Sequence, residues 1–242
     1  MTGKVAVITG ASEDIGAGLV AAYRGRGWAV VATDRTIKPS EDPDVVSLAG
    51  DIADRATADR VIGAALDRFG RLDTVVNNAG VYIGKRFTDY TAADYATAVE
   101  VNLTGFFWVT QRAIGEMAIR YGGHVVNVSA TSTEFADCGA PAALAALTNG
   151  GLAAATRSLA LEYASLGIRV NAVFPGVIET PMRGGYDGPG GRGDLGGPGG
   201  QLPPLGRGGQ VADVVGGILF LESSPYITGE IVHIDGGQTV SH

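Results

Sequence analysis

The sequence predicts an α/β fold: a doubly wound parallel sheet of about seven strands with helices on both faces. Three observations predict it. Short apolar runs rich in Val and Ile recur along the chain, the pattern of strands buried on both faces. Stretches of helical spacing lie between most of them, so the crossovers are right-handed and the strands parallel. The third is length, since 242 residues build one sizeable core without dividing, which makes residues 1–242 a single domain.

The strands read, in order, VAVIT at 5–9, WAVVATD at 28–34, VVSLAGD at 45–51, LDTVVNNAG at 72–80, HVVNVSA at 124–130, IRVNAVFPG at 168–176 and EIVHIDGG at 230–237. Helical spacing runs from Ile15 to Arg26, Ala56 to Phe69, Asp94 to Tyr121, Pro141 to Ala164 and Val211 to Glu222. Ligands of such sheets sit beyond the carboxyl ends of the strands. That places the working edge at 9–18, 34–36, 51–53, 77–84, 129–140 and 175–200, with His124 at the opposite edge.

Composition narrows the function. A net charge of −7 and a pI near 4.9 argue against a nucleic-acid footprint and against attraction to anionic membrane. No apolar run reaches the roughly 18–20 residues of a spanning helix. A strand pattern begins at Val5, which leaves no room for a leader, and the single Cys138 suits a reducing compartment. The expectation is a soluble cytoplasmic protein that partners neither nucleic acid nor membrane.

TGASEDIG at 9–16, NNAG at 77–80, Asn102 within VNLTG, NVSA at 127–130, PGVIETPM at 175–182 and TGEIVHIDGG at 228–237 together resemble the short-chain dehydrogenase/reductase family. The resemblance covers essentially the whole chain, in order, and implies a Rossmann-like fold. In that family a helix carries Tyr and Lys four residues apart, on one face. The Lys charge lowers the Tyr pKa so that its hydroxyl can pass a proton, and a Ser after the fifth strand fixes the substrate carbonyl. Here the three positions fall on Ala145, Asn149 and Ala130, none of which can do that work. Asn102, whose family role is to break a helix locally and hold a water near the Lys, is retained. Catalytic residues are therefore expected to be absent, and no metal site is read.

The cofactor loop departs from the family as well. Phosphate-binding glycines let backbone N–H groups approach a pyrophosphate at a helix N-terminus. Gly10 and Gly16 are kept, but Asp14 stands where the middle Gly belongs, behind Glu13. A like charge there costs roughly 4 kcal/mol at about 4 Å and an effective dielectric near 20, while a helix terminus returns about 0.3–2 kcal/mol. Asp14 is expected instead to cap the first helix. Asp34, Asp51 and Asn78 match cofactor-side positions of the family, and a strand-end Asp favours NAD over NADP. The same residue types also serve as ordinary loop caps. The expectation is vestigial: no cofactor bound tightly, and NAD rather than NADP if any.

Residues 184–200, GGYDGPGGRGDLGGPGG, occupy the family's substrate lid and read as a flexible Gly/Pro-rich segment. Glu134, Asp137 and Cys138 follow the fifth strand, and Tyr82 follows NNAG; acidic loop residues are more often solvated than catalytic. With relay, loop and lid all altered, the reading is a non-catalytic subunit that supports an active NAD-dependent paralogue in a hetero-oligomer, a tetramer. The family includes such pairs, and the pattern resembles the inactive subunit of a hetero-oligomeric dehydrogenase of anaerobic toluene degradation. Two alternatives stay open: a cofactor-independent cyclase, isomerase or lyase, and an NAD-dependent reductase acting without the Ser/Tyr/Lys relay, for instance on an iminium.

Overall fold

The computed structural model describes residues 3–130, 141–180 and 202–241. Seven strands form one sheet: β1 (Val5–Thr9), β2 (Ala29–Asp34), β3 (Val45–Ala49), β4 (Thr74–Asn77), β5 (Gly123–Val128), β6 (Ile168–Pro175) and β7 (Ile231–Ile234). Their order is β3-β2-β1-β4-β5-β6-β7, and every pair is parallel. The chain winds outward from β1 through β2 to β3, then returns to β4 and winds the other way. The order therefore reverses between β1 and β4, the place where ligands of such sheets bind.

Each strand gives alternate residues to two faces, and this splits the core in two. Val5, Val7 and Val31 face α2 (Arg55–Phe69) and α4 (Phe106–Arg120), while Ala6, Ile8 and Val30 face α1 (Asp14–Gly25) and α6 (Val211–Ser223). At the β6–β7 edge Phe174 is fully buried among Ala153, Ala172 and Ile231. Helix ends follow local chemistry. Asp54 accepts the Ala56 N–H at 2.9 Å at the start of α2, and Gly70 ends it at φ 76°, in the left-handed region where glycine is least strained. Thr91 and Asp94 form a reciprocal capping box on α3 (Ala92–Val99). α5 spans Ala143–Tyr163.

Two expectations change. The helix read across 94–121 is three pieces, because a π-helical turn at Glu100–Gly105 separates α3 from α4. Asp14 begins α1 but makes no capping bond, and neither does the N-cap residue Glu13. Instead Asp14 holds φ 48°, and one carboxylate oxygen is buried without a partner. The segment 184–200 lies outside the described residues, as do Glu134, Asp137 and Cys138. Among the described residues no helix is long and apolar enough to cross a membrane.

Truncating Phe174 to Ala should lower the unfolding free energy by about 3–5 kcal/mol, the usual cost of emptying an aromatic core position. Ile119→Ala, at a site 74% exposed, should move it by under about 0.5 kcal/mol. Urea denaturation of both variants checks the pair.

Candidate functional site

The turn after β1 is pressed against the loop after β4. Gly10 takes φ 62°, and a Cβ there would lie 2.8 Å from the Ala79 Cα. A Cβ on Gly16 would lie 1.9 Å from the Gly10 carbonyl oxygen, so only glycine lets α1 start this close to β1. Asn78 closes the joint: its amide donates to the carbonyls of Thr9 and Gly10 at 3.1 and 3.0 Å. The Thr9 hydroxyl in turn accepts the N–H groups of Asn78 and Ala79, each at 3.0 Å. Asp34 joins this cluster through Ser12, whose hydroxyl and N–H donate to one carboxylate oxygen at 2.6 and 3.3 Å. The other oxygen accepts the Arg35 N–H at 2.7 Å. Asp51 stands apart, accepting the Ala53 N–H of its own loop at 2.9 Å.

A second cluster forms around the π-helical turn. Its extra residue turns the Asn102 side chain inward, where it is 5% exposed. The Asn102 oxygen accepts the Val81 N–H at 2.9 Å, and its amide donates to the Val81 carbonyl at 3.0 Å. The same amide donates to the Thr148 hydroxyl at 3.1 Å, tying the loop after β4 to α5. That hydroxyl lies 3.3 and 3.2 Å from the carbonyls of Leu144 and Ala145. The structure thus brings Asn102, Thr148 and Ala145 together, with Asn149 one residue beyond. Ala145 is buried at 3% exposure, Asn149 is half-buried, and Ala130 ends the strand run of β5 half-buried. None of the three carries an acid or a base. Tyr82 packs its hydroxyl 3.3 Å from the Pro141 carbonyl.

Sequence reasoning missed Ser12 and Thr148. Ser12 lies inside the glycine loop, and a hydroxyl two residues after Gly10 was the available signal for a contact to the end of β2. Thr148 sits one helical turn from Leu144, and nothing in its spacing marks it as a partner of Asn102.

Asn102→Ala leaves both Val81 backbone groups and the Thr148 hydroxyl without that partner in a buried place. It should cost about 1–3 kcal/mol of stability, read as a shift in urea midpoint at unchanged slope.

Compared with known proteins, residues 10–239 match the enoyl-(acyl carrier protein) reductase family. The 3-oxoacyl-[acyl-carrier-protein] reductase FabG of Thermotoga maritima is 33% identical over 255 residues, covering 99% of each chain. Among solved structures, the 3-ketoacyl-(acyl-carrier-protein) reductase of Brucella melitensis complexed with NADH superposes with TM-score 0.86 at 28% identity, covering 99% of each chain. ElxO with NADP bound gives TM-score 0.86 at 26% identity, over 98% of this chain and 99% of that one, and a Tyr→Phe variant of ElxO is described with NADPH bound.

These findings overturn the expectation of a non-catalytic subunit supporting an active paralogue. The relatives matched along the full chain are oxidoreductases, a 3-oxoacyl-[acyl-carrier-protein] reductase among them, and two of the structural neighbours hold NADH or NADP. The likeness to the inactive subunit of toluene degradation finds no support among them. The physical reason is that Ala130, Ala145 and Asn149 remove only a proton relay, whereas the joint between the β1 turn, Asn78 and the end of β2 is built from other residues and stands intact. The protein belongs to the short-chain dehydrogenase/reductase family, whose reductases it matches from the first turn to the last strand.

Proposed function

We propose that the chain is an NAD(P)-dependent oxidoreductase that exchanges hydride with its substrate without a proton relay on α5. The observation that supports it most is the intact joint at the sheet's switch point, in a chain whose full-length relatives are oxidoreductases. The residues present fit a dinucleotide on two counts. Gly10 and Gly16 keep the α1 N-terminus tight over the end of β1, where orphan N–H groups and the helix dipole favour an anion. Asp34 stands at the end of β2, where Ser12 fills one carboxylate oxygen and the other, bonded to the Arg35 N–H, retains a lone pair for a ribose hydroxyl. A 2′-phosphate beside that carboxylate would be repelled, so the reading favours NAD over NADP.

Asp14 is the one group at odds. Its positive φ follows the path a glycine would take, so the backbone turn is preserved. Its carboxylate opposes a pyrophosphate, and the left-handed backbone costs a non-glycine residue roughly 1–2 kcal/mol. The dinucleotide supplies hydride chemistry when bound. The chain's residues position the reacting region: Asn102 fixes the loop after β4 through Val81, and Thr148 ties α5 to the same turn. Ala145 and Asn149 offer no proton to a developing oxyanion. A substrate that becomes neutral on accepting hydride, such as an iminium carbon, suits this site, because addition of H− to C=N+ gives an amine without a further proton. ElxO, which keeps NADPH in its Tyr→Phe form, supports treating dinucleotide binding as separate from a tyrosine hydroxyl.

The exposed apolar side chains of α4 and α5, among them Phe107, Leu147 and Leu161, support assembly with another chain of this family through those helices. Phe107→Lys should then lower the oligomeric state seen by analytical ultracentrifugation, and an unchanged mass would remove that reading.

Asp14→Gly should tighten NADH binding at least roughly tenfold, since it removes a repulsion larger than one decade of affinity even after solvent screening. Calorimetry of both forms reads it. Turnover tests the function itself: NADH oxidation is expected with a cyclic iminium and absent with the corresponding ketone. Consumption with the ketone alone would contradict the proposal.

A further inference from the structure

At the edge of the sheet opposite the site lies a buried charged cluster that the hydride reading does not use. His124, at the start of β5, is 1% exposed. Its Nδ1 lies 3.0 Å from a carboxylate oxygen of Glu222 near the end of α6, and the two side chains are 2% and 6% exposed. That oxygen also accepts the Thr74 hydroxyl from β4 at 2.8 Å and the Tyr23 hydroxyl from α1 at 3.4 Å. The other imidazole nitrogen, Nε2, faces the Arg169 guanidinium at 3.3 Å and the Asn171 side-chain nitrogen at 3.1 Å, both on β6.

Donor counting fixes the proton. Arginine can only donate. The Asn171 amide is oriented by its other contacts, since its oxygen accepts the Glu230 N–H at 3.1 Å and its nitrogen donates to the Ile227 carbonyl at 3.0 Å. The second Asn171 amide hydrogen is therefore aimed at Nε2, beside the Arg169 cation, so Nε2 must present a lone pair, and the single ring proton lies on Nδ1 and is donated to Glu222. The ring is neutral. A second proton on Nε2 would point at two donors, one of them a cation, with no acceptor in place.

The cluster binds the C-terminal part of the chain to the sheet. Arg169 donates to the carbonyls of Leu221 and Ile227 at 2.9 and 3.1 Å, so a cation closes the last turn of α6. Asn171 holds Ile227 and Glu230 on the approach to β7. We propose that His124 and Glu222 form a proton-operated latch, which holds α6 and β7 against β5 and β6 while His124 is neutral and releases them on acidification. Burial pushes the His124 imidazole below its ordinary value near 6.5, against the opposing pull of Glu222, and the charges of Arg169 and Lys4 push the same way as burial. Asp73, beside β4, is occupied by the Val5 N–H and Arg71. Burial raises the Glu222 carboxyl, but the bonds from His124 and Thr74 and the charge of Arg169 outweigh it and leave it lowered.

The sign follows from linkage. Above pH 6.5 His124 is neutral whether folded or unfolded, and the latch contributes fully. As pH falls below 6.5 the unfolded chain takes the proton first, so stability declines toward the lower folded value, and Glu222 adds a second decline at more acid pH.

The test is hydrogen exchange by mass spectrometry on the full chain at pH 7.5 and 5.0, corrected for intrinsic rates. Protection across 211–234 should fall at least about tenfold while 5–9 and 29–34 keep theirs. Equal change in both regions, or none, would overturn the latch. His124→Gln, which cannot charge, should flatten the dependence of Tm on pH between 7.5 and 5.0, where the natural chain drops by at least roughly 3 °C. A drop in the variant equal to that of the natural chain would also overturn it. If the variant does not fold, the exchange result on the natural chain decides alone.

Discussion

The working edge depends on how closely the turn after β1 is pressed against the loop after β4. A Cβ on Gly16 would overlap the Gly10 carbonyl, one on Gly10 would crowd Ala79, and Asn78 hydrogen-bonds across the gap to the carbonyls of Thr9 and Gly10 at the start of the turn. A parallel sheet whose order reverses between β1 and β4 opens a crevice there whatever its side chains. The closeness of the joint determines which backbone groups face that crevice. Asp34 is drawn in through Ser12, and the Asn102 turn props the β4 loop from beneath through Val81.

The two ends of the sheet have been emptied and filled in opposite ways. At the carboxyl end the positions of a proton relay hold Ala130, Ala145 and Asn149, and the remaining polar contacts there hold backbone in place. At the amino end, two strands and a helix converge on one carboxylate of α6 through His124, Thr74 and Tyr23. A buried ion is tolerable only when each of its partners is present, and Arg169 and Asn171 complete the set. The proposed hydride site and the proposed latch share no residue, so each can be altered without the other.

The sheet was legible because its inner strands are buried on both faces, and even the half-buried edge strands β3 and β7 keep short apolar runs. The interruption of the helix across 94–121 was less so: nothing in the spacing of its apolar residues marks the extra residue, and only Asn102 gave a sign of it. Asp14 was legible as a departure from glycine, but its outcome was not. The reading expected a capping bond, and the structure shows a left-handed residue with an unpartnered oxygen, because the turn geometry is imposed by Gly10 and Gly16 rather than chosen by residue 14. His124 was placed at the correct edge. Its partner Glu222 lies 98 residues away in sequence, and only the packing of α6 on the sheet reveals the pair. The inference from an altered relay, loop and lid to a missing function failed because the joint at the switch point is built by other residues, Gly10, Gly16, Thr9 and Asn78.

The most direct test of the central claim is titration of the natural chain with NADH and with NADPH, followed by calorimetry. Saturable binding, tighter for NADH, is the predicted result, with Asp34 and Ser12 selecting the ribose and Asp14 limiting the affinity. No heat with either dinucleotide, from a chain shown to be folded by its far-ultraviolet spectrum, would contradict it.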